Sequence, residues 1–222
     1  MKDISLFEVI GPNMIGPSSS HTAGALRIAA IAYKMMQGDV VSADFILYGS
    51  FAKTYKGHGT DRALLAGVMG FDTEDERISN SFAIADEVGL AYSFSTDEEN
   101  RNVHPNTVEM KLKSSTGHQM VVVGESIGGG NVQITRINEV EILFTGEYST
   151  LIISNIDHSG VIAHITSTLG NLEINIARMS TYREEKGKQA YTILETDETI
   201  NPEVAELIKL NKYILDARVI EM

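Results

Sequence analysis

The sequence contains no cysteine. Disulfides, thiol catalysis and any thiolate-held metal or iron–sulfur cluster built from this chain alone are thereby excluded. Positive charge is scarce as well: 18 Lys and Arg stand against 30 Asp and Glu, a formal net charge of -12. Such a surface repels polyanions, so neither nucleic acid nor an anionic membrane is an expected partner. Long apolar runs are missing too. No stretch approaches the roughly 20 apolar residues of a membrane span, and the start MKDISLFEVIG has neither the basic end nor the long apolar run of a secretory signal. A cytoplasmic location is expected. The histidines, His21, His58, His104, His118, His158 and His164, show no HxxxH or HExxH spacing. His158 and His164 fall on different helical faces, so no metal site is expected from this chain.

What is present is a chain of 222 residues, 43% of them hydrophobic, enough for one or two domains with a substantial core. Ala23 to Gln37 places Leu26, Ala29, Ala30, Tyr33 and Met36 near one helical face, with Gly38 as a stop. Ala43 to Ala52 reads as a buried strand and Asp61 to Met69 as a short helix closed by Gly70. The acidic stretches DTEDE at 72–76 and STDEENRN around 95–102 read as solvated loops or helix ends. From Asn106 the period changes to two. Val108, Met110 and Leu112 alternate, Ser114 to Gly117 turns, and Met120 to Val123 returns; Val132 and Ile134, then Val140, Ile142 and Phe144, alternate again. The first domain is therefore expected to mix helices with an antiparallel sheet over residues 1–146, and a second to occupy 147–222. In the latter, strand STLIISNI, helix VIAHITSTLG, strands INIARMSTY and KQAYTILET, helix PEVAELIKL and strand YILDARVIEM follow one another. That order is the ferredoxin-like βαββαβ pattern, and the predicted class is α+β throughout.

The segment from Leu151 to Arg183 resembles the ACT domain, a small module that binds amino acids and regulates enzymes. Its most specific part is NIDHSGVI, residues 155–162, where a strand ends, an Asp and a Gly follow, and an apolar helix begins. Unpaired N–H groups at a helix start suit a carboxylate, and Asp157 suits an ammonium group. Asn155, Asp157, His158 and Gly160 are the candidate effector residues. The competing reading is that Asp157 or Ser159 caps the helix and Gly160 permits tight packing. The resemblance also implies self-association, with this loop at a subunit interface.

Three stretches of the first domain carry candidate chemistry. GPSSSHT, residues 16–22, precedes the first helix, and its serines serve either as helix caps or as hydroxyls presented to an anion. KGHGTD, residues 56–61, flanks His58 with glycines that let the backbone turn and expose an imidazole able to act as a base near neutral pH. Thr60 or Asp61 is placed to cap the helix that follows. SIGGGN, residues 126–131, lacks both the GxGxxG and the GK[ST] nucleotide patterns. With the second stretch taken back to Tyr48 as YGSFAKTYKGHGTD, the three in this order resemble the beta part of the iron–sulfur-dependent L-serine dehydratases, also called L-serine ammonia-lyases, as a separate beta subunit with an ACT domain appended. The first domain is also similar to the allosteric substrate-binding domain of some phosphoglycerate dehydrogenases.

The resemblance implies an enzyme subunit that helps convert L-serine to pyruvate and ammonia, with a [4Fe-4S] cluster held by the cysteines of a separate alpha subunit. His58 is then the candidate base for the Cα proton, or the group that orients it. Ser18, Ser19, Ser20, His21 and Thr22, with Asp61, are the candidate substrate-binding residues, the serines directed at the substrate carboxylate. Two other readings are a purely regulatory amino-acid-binding protein and the detached regulatory part of a phosphoglycerate dehydrogenase-like enzyme.

Overall fold

The computed structural model describes residues 13–99 and 102–221. The start MKDISLFEVIG therefore lies outside the described residues, as do Asn100 and Arg101 of the acidic STDEENRN stretch. The chain divides into two compact units, residues 1–138 and 139–222, a division upstream of the restart expected near Gly146.

The first unit opens with a π turn, Ser19–Ala23, that runs directly into helix α1, Gly24–Met35. The serines thus sit within the helical entry rather than in a loop before it. Ser18 is the cap: it is extended, and its Oγ accepts the His21 N–H. Helix α1 buries Leu26, Ile28, Ala29, Ile31 and Ala32. Strand β1 spans Val40–Tyr48 and stops short of the expected Ala52. Gly49 has φ +54 and lies so close to Pro105 that a Cβ would sit 2.7 Å from its carbonyl oxygen. That left-handed step breaks the strand and starts helix α2, Gly49–Thr54. Helix α3, Thr60–Val68, follows, and then a 3₁₀ turn at Glu76–Asn80, capped by Asp75, leads into α4, Ser81–Glu87.

Strands β2 (Ala91–Asp97), β3 (Thr107–Ser114), β4 (Gln119–Gly128) and β5 (Asn131–Ile137) complete the first unit, in the order β2-β1-β3-β4-β5. Three of the four pairings are antiparallel, but β1 and β2 run parallel, with Phe45 opposite Phe94. The sheet is thus mixed. Ser95, Thr96 and Asp97, expected as solvated loop, lie in β2. Helix α1 lies over β4 and against α3. Gly67 of α3 approaches α1 so closely that a Cβ would meet the Leu26 carbonyl oxygen at 2.5 Å.

The second unit begins with β6, Val140–Phe144, and continues as β7 (Ser149–Ile156), α5 (Val161–Asn171), β8 (Ile176–Arg183), β9 (Gln189–Thr196), α6 (Glu203–Ile208) and β10 (Ile214–Ile220). Its sheet is ordered β10-β7-β9-β8 and is wholly antiparallel. This is the ferredoxin-like arrangement expected from the element order. Leu151, Ile153 and Leu194 of the sheet pack against Val161, Ile165 and Leu169 of α5 and Val204 and Ile208 of α6. Pro202 stands as the cap of α6, just outside the helix. Among the described residues no helix is long and apolar enough to cross a membrane.

Candidate functional site

The fold of the first unit brings GPSSSHT and KGHGTD together. The cap bond from the His21 N–H to Ser18 Oγ is 3.1 Å long and fixes the start of the π turn. His21 is then aimed at the head of α2, where its Nε2 lies 2.9 Å from Ser50 Oγ. Its Nδ1 lies 3.4 Å from Ser18 Oγ. Thr22, next in the turn, is buried and donates its hydroxyl to the His58 carbonyl at 2.8 Å. This bond ties the glycine-flanked loop to the helix entry and spends the hydroxyl that had been a candidate for substrate. With the loop so held, the His58 and His21 rings lie 4.8 Å apart between centroids, tilted by 59°. Phe51 of α2 closes the other side of His21, edge-on at 5.5 Å.

Burial, and then the neighbouring His58, hold the His21 pKa below the ordinary imidazole value, so His21 is neutral near pH 7. The Nδ1 of His58 is buried without a hydrogen-bond partner. Burial likewise raises the Asp61 carboxyl, partly offset by the Arg62 N–H it accepts at 2.8 Å.

Ser126 of SIGGGN, in β4, packs against Gly24 at the head of α1. Ser126 is fully buried, and its Oγ lies where a side chain on Gly24 would have to go: a Cβ there would be 2.1 Å away. The hydroxyls of Ser126 and Thr60 have no hydrogen-bond partner. Beside the loops opens a cleft of about 490 Å³ lined by Gly16, Thr22, Lys56, Gly57, Asp61 and Arg62, with Ile15, Ile78 and Phe82 as its apolar wall. The cleft thus carries two cationic side chains and one carboxylate.

The sequence-predicted residues therefore divide. Ser18, His21 and His58 come together; Thr22 joins them through a structural bond; Asp61 faces the cleft; Ser19 and Ser20 are half-buried in the π turn. Ser50, Lys56 and Ser126 lie in the three stretches without being candidate site residues, and Arg62 lies just beyond them. Lys56 and Arg62 stand close to His58 in sequence, within reach of a charge argument, whereas nothing local pairs Ser50 with His21.

In the second unit the predicted effector residues are engaged with their own neighbours. Asp157 accepts from Arg183 Nη1 at 2.7 Å and from the Gly187 N–H at 3.0 Å, and these contacts, the Gly187 bond foremost, hold its carboxyl below the usual range. Asn155 is buried, with its Oδ1 accepting the Thr192 hydroxyl at 3.2 Å. His158 is exposed, stacks on Tyr213 at 3.8 Å and places Nδ1 2.8 Å from the Ser159 carbonyl. Gly160, at φ +89, precedes α5 as its cap.

Residues 5–136 match the serine dehydratase beta chain family. The chain belongs to that family. Residues 149–209 match the ACT domain, so this member carries an ACT domain behind the family's own. It is 40% identical to the L-serine dehydratase beta chain of Peptoniphilus asaccharolyticus over the full length of both proteins. It is also 40% identical to the probable L-serine dehydratase beta chain of Bacillus subtilis, covering 96% of this chain and 97% of the relative. A third similarity, 30% identity over 89% of this chain, is to 37% of the D-3-phosphoglycerate dehydrogenase of Methanocaldococcus jannaschii.

The residues of this chain do not fit an iron–sulfur cluster. The sequence has no cysteine, and among the described residues no group of three or more His, Asp or Glu side chains gathers as metal ligands.

Proposed function

We propose that this chain is the beta subunit of a two-subunit L-serine dehydratase. In this reading it supplies the proton-accepting imidazoles and part of the substrate pocket to an active site completed by a cysteine-containing alpha subunit. The observation that carries it is the pairing of His21 and His58, brought from two motifs to 4.8 Å beside a cleft holding Lys56, Arg62 and Asp61. The beta chain named for the Peptoniphilus relative, matched from end to end, supports the same reading.

The reaction removes the Cα proton and the Cβ hydroxyl of L-serine as water. The resulting 2-aminoacrylate tautomerises to the imine, and addition of one water releases pyruvate and ammonia. His58 accepts the Cα proton. His21 beside it is neutral and so sets no like charge against the imidazolium that forms. Lys56 and Arg62 hold the substrate carboxylate, with Ser19 and Ser20 as the helix-entry hydroxyls left to join them, and Asp61 holds the ammonium group. We assign the [4Fe-4S] cluster to the alpha subunit and the assembled enzyme to the cytoplasm. Self-association is assigned to the ACT domain. Regulation by an amino acid belongs there too: its ammonium group would compete with Arg183 for Asp157.

The test is to express the chain alone and with its alpha partner under anaerobic conditions and to measure pyruvate formed from L-serine. Activity is expected only in the mixture. In that mixture His58→Ala lowers turnover by more than tenfold, over about 1.4 kcal/mol of barrier. Turnover by the chain alone would refute the division of labour, and a His58→Ala complex within tenfold of wild type would remove His58 as the base. Calorimetry with the full chain tests the effector. In an Asp61→Asn chain, which lacks the ammonium contact of the first unit's cleft, adding Asp157→Ala should abolish the remaining amino-acid binding, and its retention would remove Asp157 from the effector site.

A further inference from the structure

We propose that Ser50, together with Ser18, is a positioning residue that fixes which nitrogen of His21 carries the proton, and through His21 orients His58. The proposal rests on the reading of the two imidazoles as the proton-accepting pair. Its basis is the hydrogen-bond arithmetic around His21. Ser18 Oγ accepts the His21 N–H at 3.1 Å, and we take its one O–H to point toward Nδ1 at 3.4 Å. A neutral imidazole has one donor and one acceptor nitrogen. With Nδ1 as the acceptor, the proton lies on Nε2, which donates to Ser50 Oγ at 2.9 Å.

Ser50 is itself rigidly placed. Its N–H donates to the Pro105 carbonyl at 2.6 Å, and its carbonyl accepts the Thr54 hydroxyl at 2.8 Å. Gly49 before it takes a left-handed conformation that few other residues tolerate. The hydroxyl at the end of this scaffold is thus a fixed point. His58 needs such a reference, because its Nδ1 is buried without a hydrogen-bond partner. The His58 backbone is held by the Thr22 bond to its carbonyl and by its own N–H, which donates to the Thr54 carbonyl at 3.0 Å, while the His21 ring lies 4.8 Å from its ring. Once His21 is free to turn or to change tautomer, the His58 ring loses that ring contact.

The test combines spectroscopy on the full chain with kinetics on the reconstituted complex. Ring ¹⁵N shifts near neutral pH should show His21 of the wild type as a single tautomer protonated on Nε2. Ser50→Ala should give mixed tautomers, and Ser50→Thr should restore the single one. In the complex, Ser50→Ala should lower kcat at least tenfold and change KM for L-serine by less than about threefold, since ΔΔG‡ then falls on the chemical step. Ser50→Thr should recover most of that loss. A wild-type His21 protonated on Nδ1 would overturn the proposal, and so would a Ser50→Ala chain with one tautomer and wild-type kcat. A tautomer shift in Ser50→Ala alongside full turnover in His58→Ala would instead sink the proton-acceptor reading and leave the hold of Ser50 on His21 standing.

Discussion

Gly24 is required by a neighbour and not by its own torsions. Its φ of -61 suits any residue, yet a Cβ would fall 2.1 Å from Ser126 Oγ and 2.8 Å from Ser126 Cβ. Gly24→Ala should therefore destabilise the chain by about 1–3 kcal/mol through overpacking, read as a lower midpoint of thermal denaturation. Adding Ser126→Gly should recover part of the loss, because the clash leaves with the serine side chain. His21 gives a prediction of pH dependence. Unfolded, it titrates near about 6.5, and in the folded chain burial and His58 set its pKa lower. The unfolded state thus binds the proton first, so stability declines as pH falls from about 6.5 through the folded value. The difference in denaturation midpoint between wild type and His21→Gln should change across that interval and stay flat above it. GPSSSHT and KGHGTD were visible in the sequence because each is a local cluster of reactive side chains. The partner of His21 was not, because Ser50 lies 29 residues away and only the fold makes them neighbours.

Among the elements, helix α1 and the βαββαβ order of the second unit were legible because apolar periodicity is local. The end of β1 was not: an apolar run continues through Phe51 and Ala52, and what stops the strand is contact with Pro105, far along the chain. The parallel placement of β2 was hidden for a similar reason, since AYSFSTD is polar at alternate positions and runs into acidic residues. The crossing of α1 and α3 depends on Gly67. A Cβ there meets backbone, the Leu26 carbonyl, which cannot swing aside. Gly67→Ala should cost about 1–3 kcal/mol despite the better helix propensity of alanine. The hairpin between β8 and β9 depends on Asp157, which bonds both Arg183 and Gly187 across the turn. Because the folded carboxyl titrates below its unfolded value of about 3.9, this contribution is complete above that pH and is lost as pH falls through the folded value. Asp157→Asn should denature at a lower temperature than wild type at neutral pH, and the gap should close as the pH falls below the folded value of the wild-type carboxyl.

The molecule as a whole is built around two cores, and a lesion in one should be felt there. Hydrogen exchange on the Gly67→Ala chain should quicken in residues 13–99 and 102–138 and leave the amides of β7, β9 and β10 at wild-type rates; faster exchange in both units would show that they unfold together. The π turn at Ser19–Ala23 has a consequence for how such a chain diverges. A π turn holds one residue more than a regular helix needs. Loss of one codon at Ser19 or Ser20 would leave an ordinary helical entry to α1 and an intact core. It would also swing Ser18 by about 100° around the helix axis and carry its cap away from His21. A duplicate gene could in this way keep the fold of the first unit and lose, in one step, the cap bond that aims His21 at Ser50.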